Sequence, residues 1–356
     1  MKRYLGLLGS LIVSSSIWAA EITPFVEVSS FSHSEPISVS GLMNNWKGSF
    51  ETGRVAFTMN RAEIGVGVNN WQISVFNRYD YLFEFAPSTA KLFYDTKNKK
   101  ELVSGEEYSL DLDSNSFVAR GFKLGYQQEV SGFNVGVAVS YLEGLELTDG
   151  YISGRAVAVS ENDYDFDFDV DYYYSEDSVF EREVEALPKG QGFGIDLDVN
   201  GYLNPQWQAS LQVRDLFAQI NWLETPRTIA TGSSSTKEYD SDGYAVFKPV
   251  ASGWELNEDY TQTIPTKLFL LSSYEFMQQH ALLLEYQDYA IKSFYSAGYR
   301  FTTENRHNLD VFYNITAEAW KLRYQNPWMN FEMITDRLSV SEAQTIGLNL
   351  ALRYSF

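Results

Sequence analysis

The sequence predicts an all-β protein: a single transmembrane antiparallel β-barrel of about 14 strands (range 12–16) with long extracellular loops. Three observations predict it. Apolar and polar residues alternate with period two along most of the chain, no later apolar run is long enough for a membrane helix, and 16% of the 356 residues are aromatic. The 24 Tyr, 24 Phe and 8 Trp are the material from which a barrel builds its two interfacial girdles.

Composition removes other classes. With no cysteine there is no disulfide framework, no thiol catalysis and no Cys-ligated metal. A formal charge of −20, from 47 acidic and 27 basic residues, repels phosphate backbones and argues against nucleic-acid binding. A mean hydropathy of −0.26 excludes a bundle of transmembrane helices.

Residues 1–19 read as a secretory signal peptide. Met1-Lys2-Arg3 is a short basic start and Tyr4 to Ile17 an apolar core, followed by Trp18-Ala19-Ala20 with the cut expected after Ala19. The core is shorter than the roughly 20 apolar residues that span a bilayer. Residues 20–356 are expected to form the barrel, with 21–46 either a small amino-terminal plug or the first strand.

The last strand alternates without a break. Ile346, Leu348, Leu350, Leu352, Tyr354 and Phe356 share one face, and Thr345, Gly347, Asn349, Ala351, Arg353 and Ser355 the other. The same pattern recurs at Phe193, Ile195, Leu197 and Val199, and at Trp207, Ala209, Leu211 and Val213. In the second of these, the apolar phase shifts at Arg214-Asp215, which predicts a β-bulge. A soluble sandwich also alternates. Its outer face, however, is more uniformly charged than the Gly, Ser, Asn and Gln found here, which suit a lumen.

Asn69-Asn70, Ser131-Gly132, Asn204-Pro205, Gln278-Gln279-His280 and Asn326-Pro327 are turn signals of hairpin type. They delimit strands that include Glu51–Met59, Arg61–Val68, Phe133–Leu147 and Tyr151–Val159. Three inserts are long: Pro87–Ser114, Glu161–Gln191 and Leu223–Pro265. Counting back from the last strand places the second and third outside the cell, whereas the count does not place the first.

Candidate chemistry is sparse. Asp163, Asp165, Asp167, Asp169 and Asp171 alternate with Tyr164, Phe166, Phe168, Val170 and Tyr172, so a strand here carries carboxylates on one face and aromatics on the other. That face either recruits a weak Ca²⁺ site or is a solvated extension. The lumen is expected to hold Arg300, Lys321, Arg323 and Arg353 with Asp196, Asp198, Glu285 and Asp310. The basic residues either guide an anionic solute or pair with the carboxylates across the interior. Tyr172, Tyr173, Tyr174, Tyr239, Tyr244 and Trp254, in the long inserts, are either docking contacts or interfacial anchors. His33, His280 and His307 share no ligand spacing. No catalytic set is visible, and no cofactor is called for.

The ending Arg353-Tyr354-Ser355-Phe356, with apolar residues at every second position before it, resembles the C-terminal assembly signal of Gram-negative outer-membrane β-barrel proteins. This implies recognition of Leu350, Leu352, Tyr354 and Phe356 by the barrel-assembly machinery, insertion into outer-membrane lipid, and closure of the last strand on the first. Gly192-Phe193-Gly194-Ile195-Asp196, Tyr202, Leu211 to Asp215 and Pro265-Thr266-Lys267 look like the strand motifs of the FadL-like, TraF-like and PorV-like barrel group. Members of that group carry hydrophobic compounds across the outer membrane or serve in secretion and transfer machinery. The Asn-Pro-Ala plug motif of the fatty-acid transporters is absent. Asn77-Arg78-Tyr79 resembles an outer-membrane phospholipase motif but lies too near the amino terminus and lacks the serine. Two functions follow as expectations: a porin-like transport channel for small solutes, or a structural barrel docking a partner of a secretion or transfer system.

Overall fold

The computed structural model describes residues 21–184, 186–234, 237–239, 245–247 and 250–354. The proposed signal peptide and Phe356 lie outside them. The chain runs up and down a single wall. At one end its hairpins close in short turns at Asn69-Asn70, Ser131-Gly132, Gln206, Gln278-Gln279, 303–307 and 326–328. At the other end it makes every long excursion.

β1 (Ile22–Ser34) leads through α1 (Val39–Met43) to β2 (Val55–Val68) and β3 (Trp71–Phe85). After α2 (Pro87–Lys97) and the short β4 (Glu107–Ser109) come β5 (Leu112–Val130) and the long β6 (Phe133–Ser160), which overshoots the wall. β7 (Asp163–Tyr174) turns back against it, and β8 (Lys189–Asn204) descends. β9 (Trp207–Ser233) overshoots in the same way and is followed by β10 (Lys237–Tyr239), β11 (Ala245–Phe247) and the returning β12 (Ala251–Thr263). β13 (Lys267–Met277), β14 (His280–Asp288), β15 (Ser293–Thr302), β16 (Asn308–Asn314), β17 (Ala319–Gln325), β18 (Met329–Thr335) and β19 (Thr345–Arg353) complete the ring. β19 pairs with β1 from Phe25↔Arg353 to His33↔Thr345, which closes a 14-strand antiparallel barrel. Residues 22–34 are therefore a wall strand, the second of the two expectations for this segment.

Closure is what the alternation needs. Every wall strand has a hydrogen-bonding neighbour on both sides, so the outward side chains can face an apolar medium without exposing backbone polar groups. Ile64, Ile73, Val75, Val139, Leu282, Leu284, Leu309, Trp320, Leu348 and Leu352 are all more than 40% exposed on this outer face. Tyr202, Trp207, Tyr274 and Trp328 stand near the short turns, as an interfacial girdle requires. One bidentate pair interrupts the belt: Arg120 donates to Glu143 at 2.8 and 2.9 Å beside Asn77.

Two strand boundaries differ from the sequence reading. Glu51–Met59 and Arg61–Val68 are not separate strands; β2 runs unbroken through Asn60-Arg61, with Arg61 turned inward onto Glu63. Likewise Tyr151–Val159 is the upper half of β6, continuous with its lower half. Inside a barrel, polar residues in mid-strand mark the lumen, so they mimic turn signals. With β2 undivided, the segment 86–111 falls at the same end as the other long inserts. The predicted bulge is present: Asp215 has φ 58°, and the β8–β9 register shifts between Ile195 and Leu197.

Where β6 and β9 overshoot, the same sheet continues as an extension, with β6, β7, β9 and β12 side by side. Its packed face carries Tyr164, Phe166, Phe168, Val170, Tyr172 and Tyr174. Leu92 of α2, Leu102 and Tyr108 cover one end, and Phe180 and Val184 the other. The opposite face is open and carries the five aspartates.

The outer belt predicts its own energetics. Leu348→Arg should destabilise the folded barrel by about 2–4 kcal/mol, read from urea unfolding in lipid vesicles. Val340→Arg, in the 336–344 connection beyond the belt, should leave the midpoint unchanged.

Candidate functional site

The candidate site is the lumen. A ring of fourteen strands is wider than the eight whose side chains alone fill a barrel. Its interior must therefore hold solvent, or be drawn together by contacts between opposite walls. Both occur, at different levels.

Near the long-loop end the walls meet. β2 and β14 stand seven places apart on the ring of fourteen, yet Phe57 of β2 meets Tyr289, the residue that follows β14. Phe31 of β1 stacks on Tyr289, just past β14, with centroids 4.7 Å apart, and meets Phe294 of β15 edge-on at 5.4 Å. Phe57 of β2 lies 5.2 Å from Tyr289, and Phe269 of β13 lies 5.3 Å from it. Leu82 and Met59 fill in around them. Contacts between diametric strands require the barrel section to be flattened here. Lys292, in the same turn as Tyr289, also reaches Glu35 beyond β1 at 2.7 Å.

Beside this aromatic cluster, four buried charges cross the lumen. Arg78 of β3 donates to both oxygens of Asp215 on β9, at 2.7 and 2.6 Å, and to Asp80 at 2.6 Å. Lys267 at the head of β13 reaches Asp215 at 2.8 Å and Asp80 at 3.2 Å. The bulge at Asp215 makes this possible by turning Arg214 and Asp215 inward together. Two cations and two anions balance, so burial leaves no net charge unpaired. On the far side, the Arg78 guanidinium lies 5.1 Å over the ring of Phe117, which belongs to a buried group with Phe76, Leu142, Ile220, Trp222 and Ile264. Aromatic cluster, ion cluster and apolar group together form one closing layer across the interior.

Toward the short turns the interior is polar and wet. Gln212 faces inward yet is exposed, and the inward pair Arg214–Asp198 at 2.7 Å keeps 29% and 39% of its side-chain surface open. Glu63 is held by Arg61 at 3.0 Å, Lys123 at 2.7 Å and Ser74 at 2.5 Å.

The sequence-derived lumen residues fall on this inner face and pair largely with one another. On adjacent strands Glu332, Arg323, Asp310 and Arg300 form a ladder of alternating sign in one register row. Arg300 grips Asp310 at 2.7 Å, and Arg323 bridges Glu332 at 2.5 Å and Glu285 at 2.7 Å; Lys321 also bonds Glu285. Asp196 accepts the backbone N–H of Asp215 at 3.1 Å. Arg353 stays exposed at the short-turn rim and makes no ion pair among the described residues. The pairing reading thus describes the geometry of the others better than a free basic row.

The remaining candidates disperse. Asp163, Asp165, Asp167 and Asp169 are exposed along β7. Asp171 is taken by Arg227 at 2.7 Å, and Asp165 accepts from Ser234 at 2.9 Å. No group of three or more His, Cys, Asp or Glu able to hold a metal occurs among the described residues. Tyr172 and Tyr174 are not free docking contacts, because they are buried against Asp177, Arg182 and Thr228. Tyr173 stacks on Tyr260 at 3.8 Å. Trp254 is 72% exposed, while the side chains of Tyr239 and Tyr244 lie outside the described residues. Arg78 of the phospholipase-like tripeptide is a member of the ion cluster. His33 accepts from or donates to Thr345 at 2.8 Å, His280 bonds Tyr299, and His307 bonds Tyr324 at 2.8 Å.

Sequence reasoning missed the closing layer. Its signal was present as phase: Phe31 follows Glu27 and Ser29 on the inward side of β1, and Arg78, Asp80 and Leu82 share the inward side of β3. Large aromatics on a polar face mark filling. Which opposite wall they meet is not encoded locally.

Two outcomes follow. Asp215→Asn leaves Arg78 and Lys267 undercompensated in a buried position and should cost about 3 kcal/mol, read as a lower urea midpoint. In the extension, burial pushes the Asp149 carboxyl up to about 6 despite its hydrogen bonds from Tyr260 and Gln262. A raised carboxyl favours the protonated folded form, so this part should gain stability as pH falls from 8 through about 6. Asp177, held below the usual range by Tyr172, Phe180 N–H and Arg182, and Glu258, held low by Tyr173 and Arg227, stay ionised over that window and contribute no slope. Proteolysis of the long loops should be slower at pH 5.5 than at pH 8, by a difference that Asp149→Asn removes.

No protein-family profile and no curated protein sequence matches the chain. Solved structures with a similar course include the Pseudomonas putida toluene transporter TodX, at 10% identity and TM-score 0.38, covering 94% of this chain and 89% of that one. The CymD monoaromatic hydrocarbon channel is 9% identical with a TM-score of 0.39, covering 94% and 87%. A Pseudomonas aeruginosa FadL homologue is 7% identical with a TM-score of 0.33, covering 95% and 89%. At such scores these likenesses decide neither family nor cargo, and the barrel rests on its own strand pairing.

Proposed function

We propose that the chain is an outer-membrane transport channel of a Gram-negative bacterium that passes small solutes and rests in a closed state. The outward apolar belt, closed wall and short-turn end support insertion in outer-membrane lipid by the barrel-assembly machinery, with the short turns in the periplasm and the long loops outside.

One observation carries the transport reading. A wet, polar vestibule, lined by Gln212, Arg214 and Asp198, leads from the short-turn end to a layer of interlocking side chains. The barrier is this layer of side chains, so opening the path requires Phe57, Tyr289 and Phe294, the 289–292 turn and the Arg78–Asp215–Lys267 cluster to move apart. The paired ladder of Arg300, Asp310, Arg323 and Glu332 gives the passage a mixed field and no strong preference for one sign of charge.

A second reading, a sealed barrel whose tall extension docks a partner, draws on the same closing layer. Liposome swelling separates the two. The wild type should admit small sugars slowly, and the double substitution Phe57→Ala with Phe294→Ala should raise the rate and the planar-bilayer conductance several-fold. If that variant folds and remains impermeable, the channel reading fails and the sealed barrel stands.

A further inference from the structure

Among the described residues the extension ends in an edge: β12 pairs with β9 from Ala251↔Gly232 to Thr263↔Gln219, and no register pairing occurs on its other side. Residues 251–257 are exposed on both faces. In any such strand, alternate N–H and C=O groups point away from the sheet, free to pair with a further strand. Natural edges are usually blunted by Pro, Lys or a bulge. Between Ala251 and Asn257 there is none of these, and the bulge comes only between Glu258 and Tyr260.

The two faces of this edge differ. Ser252, Trp254 and Leu256 lie opposite Thr231, Ile229 and Arg227 on the open face, and Trp254 and Leu256 are 72% and 41% exposed. Gly253, Glu255 and Asn257 lie on the other face. Glu255 is shared with Arg182 at 3.3 Å but keeps 52% of its side chain in solvent. Glu258 and Asp259 follow at the lower end, and the adjoining sheet presents Asp163, Asp165, Asp167 and Asp169. A second copy of this acidic edge would be repelled, whereas a cationic strand would be attracted.

We propose that β12 is a docking edge for an extended, basic peptide segment of another protein, which adds as a further strand to the extension. Recognition is by period two. Apolar residues of the incoming strand lie beside Trp254 and Leu256, and alternate Lys or Arg residues lie beside Glu255 and toward Glu258 and Asp259. Main-chain hydrogen bonds supply the affinity, and the alternation supplies the selectivity. β14 and β15 end at Asp288 and begin at Ser293, joined by a short turn, so no tall strand of the barrel wall rises beyond β12 to block the approach. The inference stands whether or not the lumen conducts.

The test uses the whole barrel in detergent micelles and a short synthetic peptide alternating Val and Lys, with a Val/Glu peptide and a Gly/Lys peptide as comparisons. The Val/Lys peptide should bind by fluorescence anisotropy and slow amide exchange at residues 251–257, and the other two should not. Trp254→Ala, and separately the pair Ser252→Lys with Asn257→Lys, should each weaken binding about tenfold or more. Unchanged exchange along β9 in the free variants verifies that the extension is folded. Equal binding of the Gly/Lys peptide, protection elsewhere than β12, binding unaffected in both folded variants, or no binding at all would overturn the docking edge.

Discussion

The pairing of β19 with β1 is the constraint on which the rest depends. In an apolar medium an unpaired edge exposes a row of backbone donors and acceptors, each costing several kcal/mol. Nine register pairs from Phe25↔Arg353 to His33↔Thr345 remove that edge. Once the ring is closed, the phase of every wall strand is fixed. Ile64, Val75, Leu284 and Leu348 must face out, and Glu63, Asp80, Glu285 and Asn349 must face in.

Closure also creates the problem that the interior solves. Fourteen strands enclose more space than inward side chains can fill if the section is round. The protein resolves this unevenly: the end near the short turns stays open to solvent, and the other end is drawn together by Phe31, Phe57, Tyr289 and Phe294 across the lumen. The charge-balanced group of Arg78, Asp80, Asp215 and Lys267 belongs to the same solution. Removing any one member exposes the desolvation cost of the others, so the layer is specific as well as filling. Its position at the end of the solvent-open vestibule is the observation on which the proposed transport role rests.

The extension obeys a different physics. Above the belt the strands meet water on one face and need a cover on the other, so β7 carries aspartates toward solvent and aromatics toward α2 and the 175–188 segment. Much of the acidity noticed in the composition is placed there. A sheet that need not close can keep an edge, and β12 is that edge.

Period two is a local property, so the sequence by itself determined the class, the lipid-facing residues of β8, β19 and the part of β9 before the bulge, the bulge at Arg214-Asp215 and the two-faced strand at Asp163 to Tyr172; beyond the bulge Ala218, Ile220 and Trp222 turn inward instead. It misjudged β2 and β6, because Asn60 followed by the lumen-facing Arg61 reads like a turn and a strand that leaves the membrane changes its environment midway. It put Arg300, Arg323, Asp310 and Glu285 on one inner face and left their pairing open. Partnership inside a lumen depends on ring position and stagger, which link residues far apart in the chain, such as Phe31 with Tyr289. Only the tertiary structure decided that opposite walls touch, that the inward charges satisfy one another, and that Trp254 stands exposed while Tyr172 and Tyr174 are packed away. These are consequences of closure, and closure is a property of the whole chain.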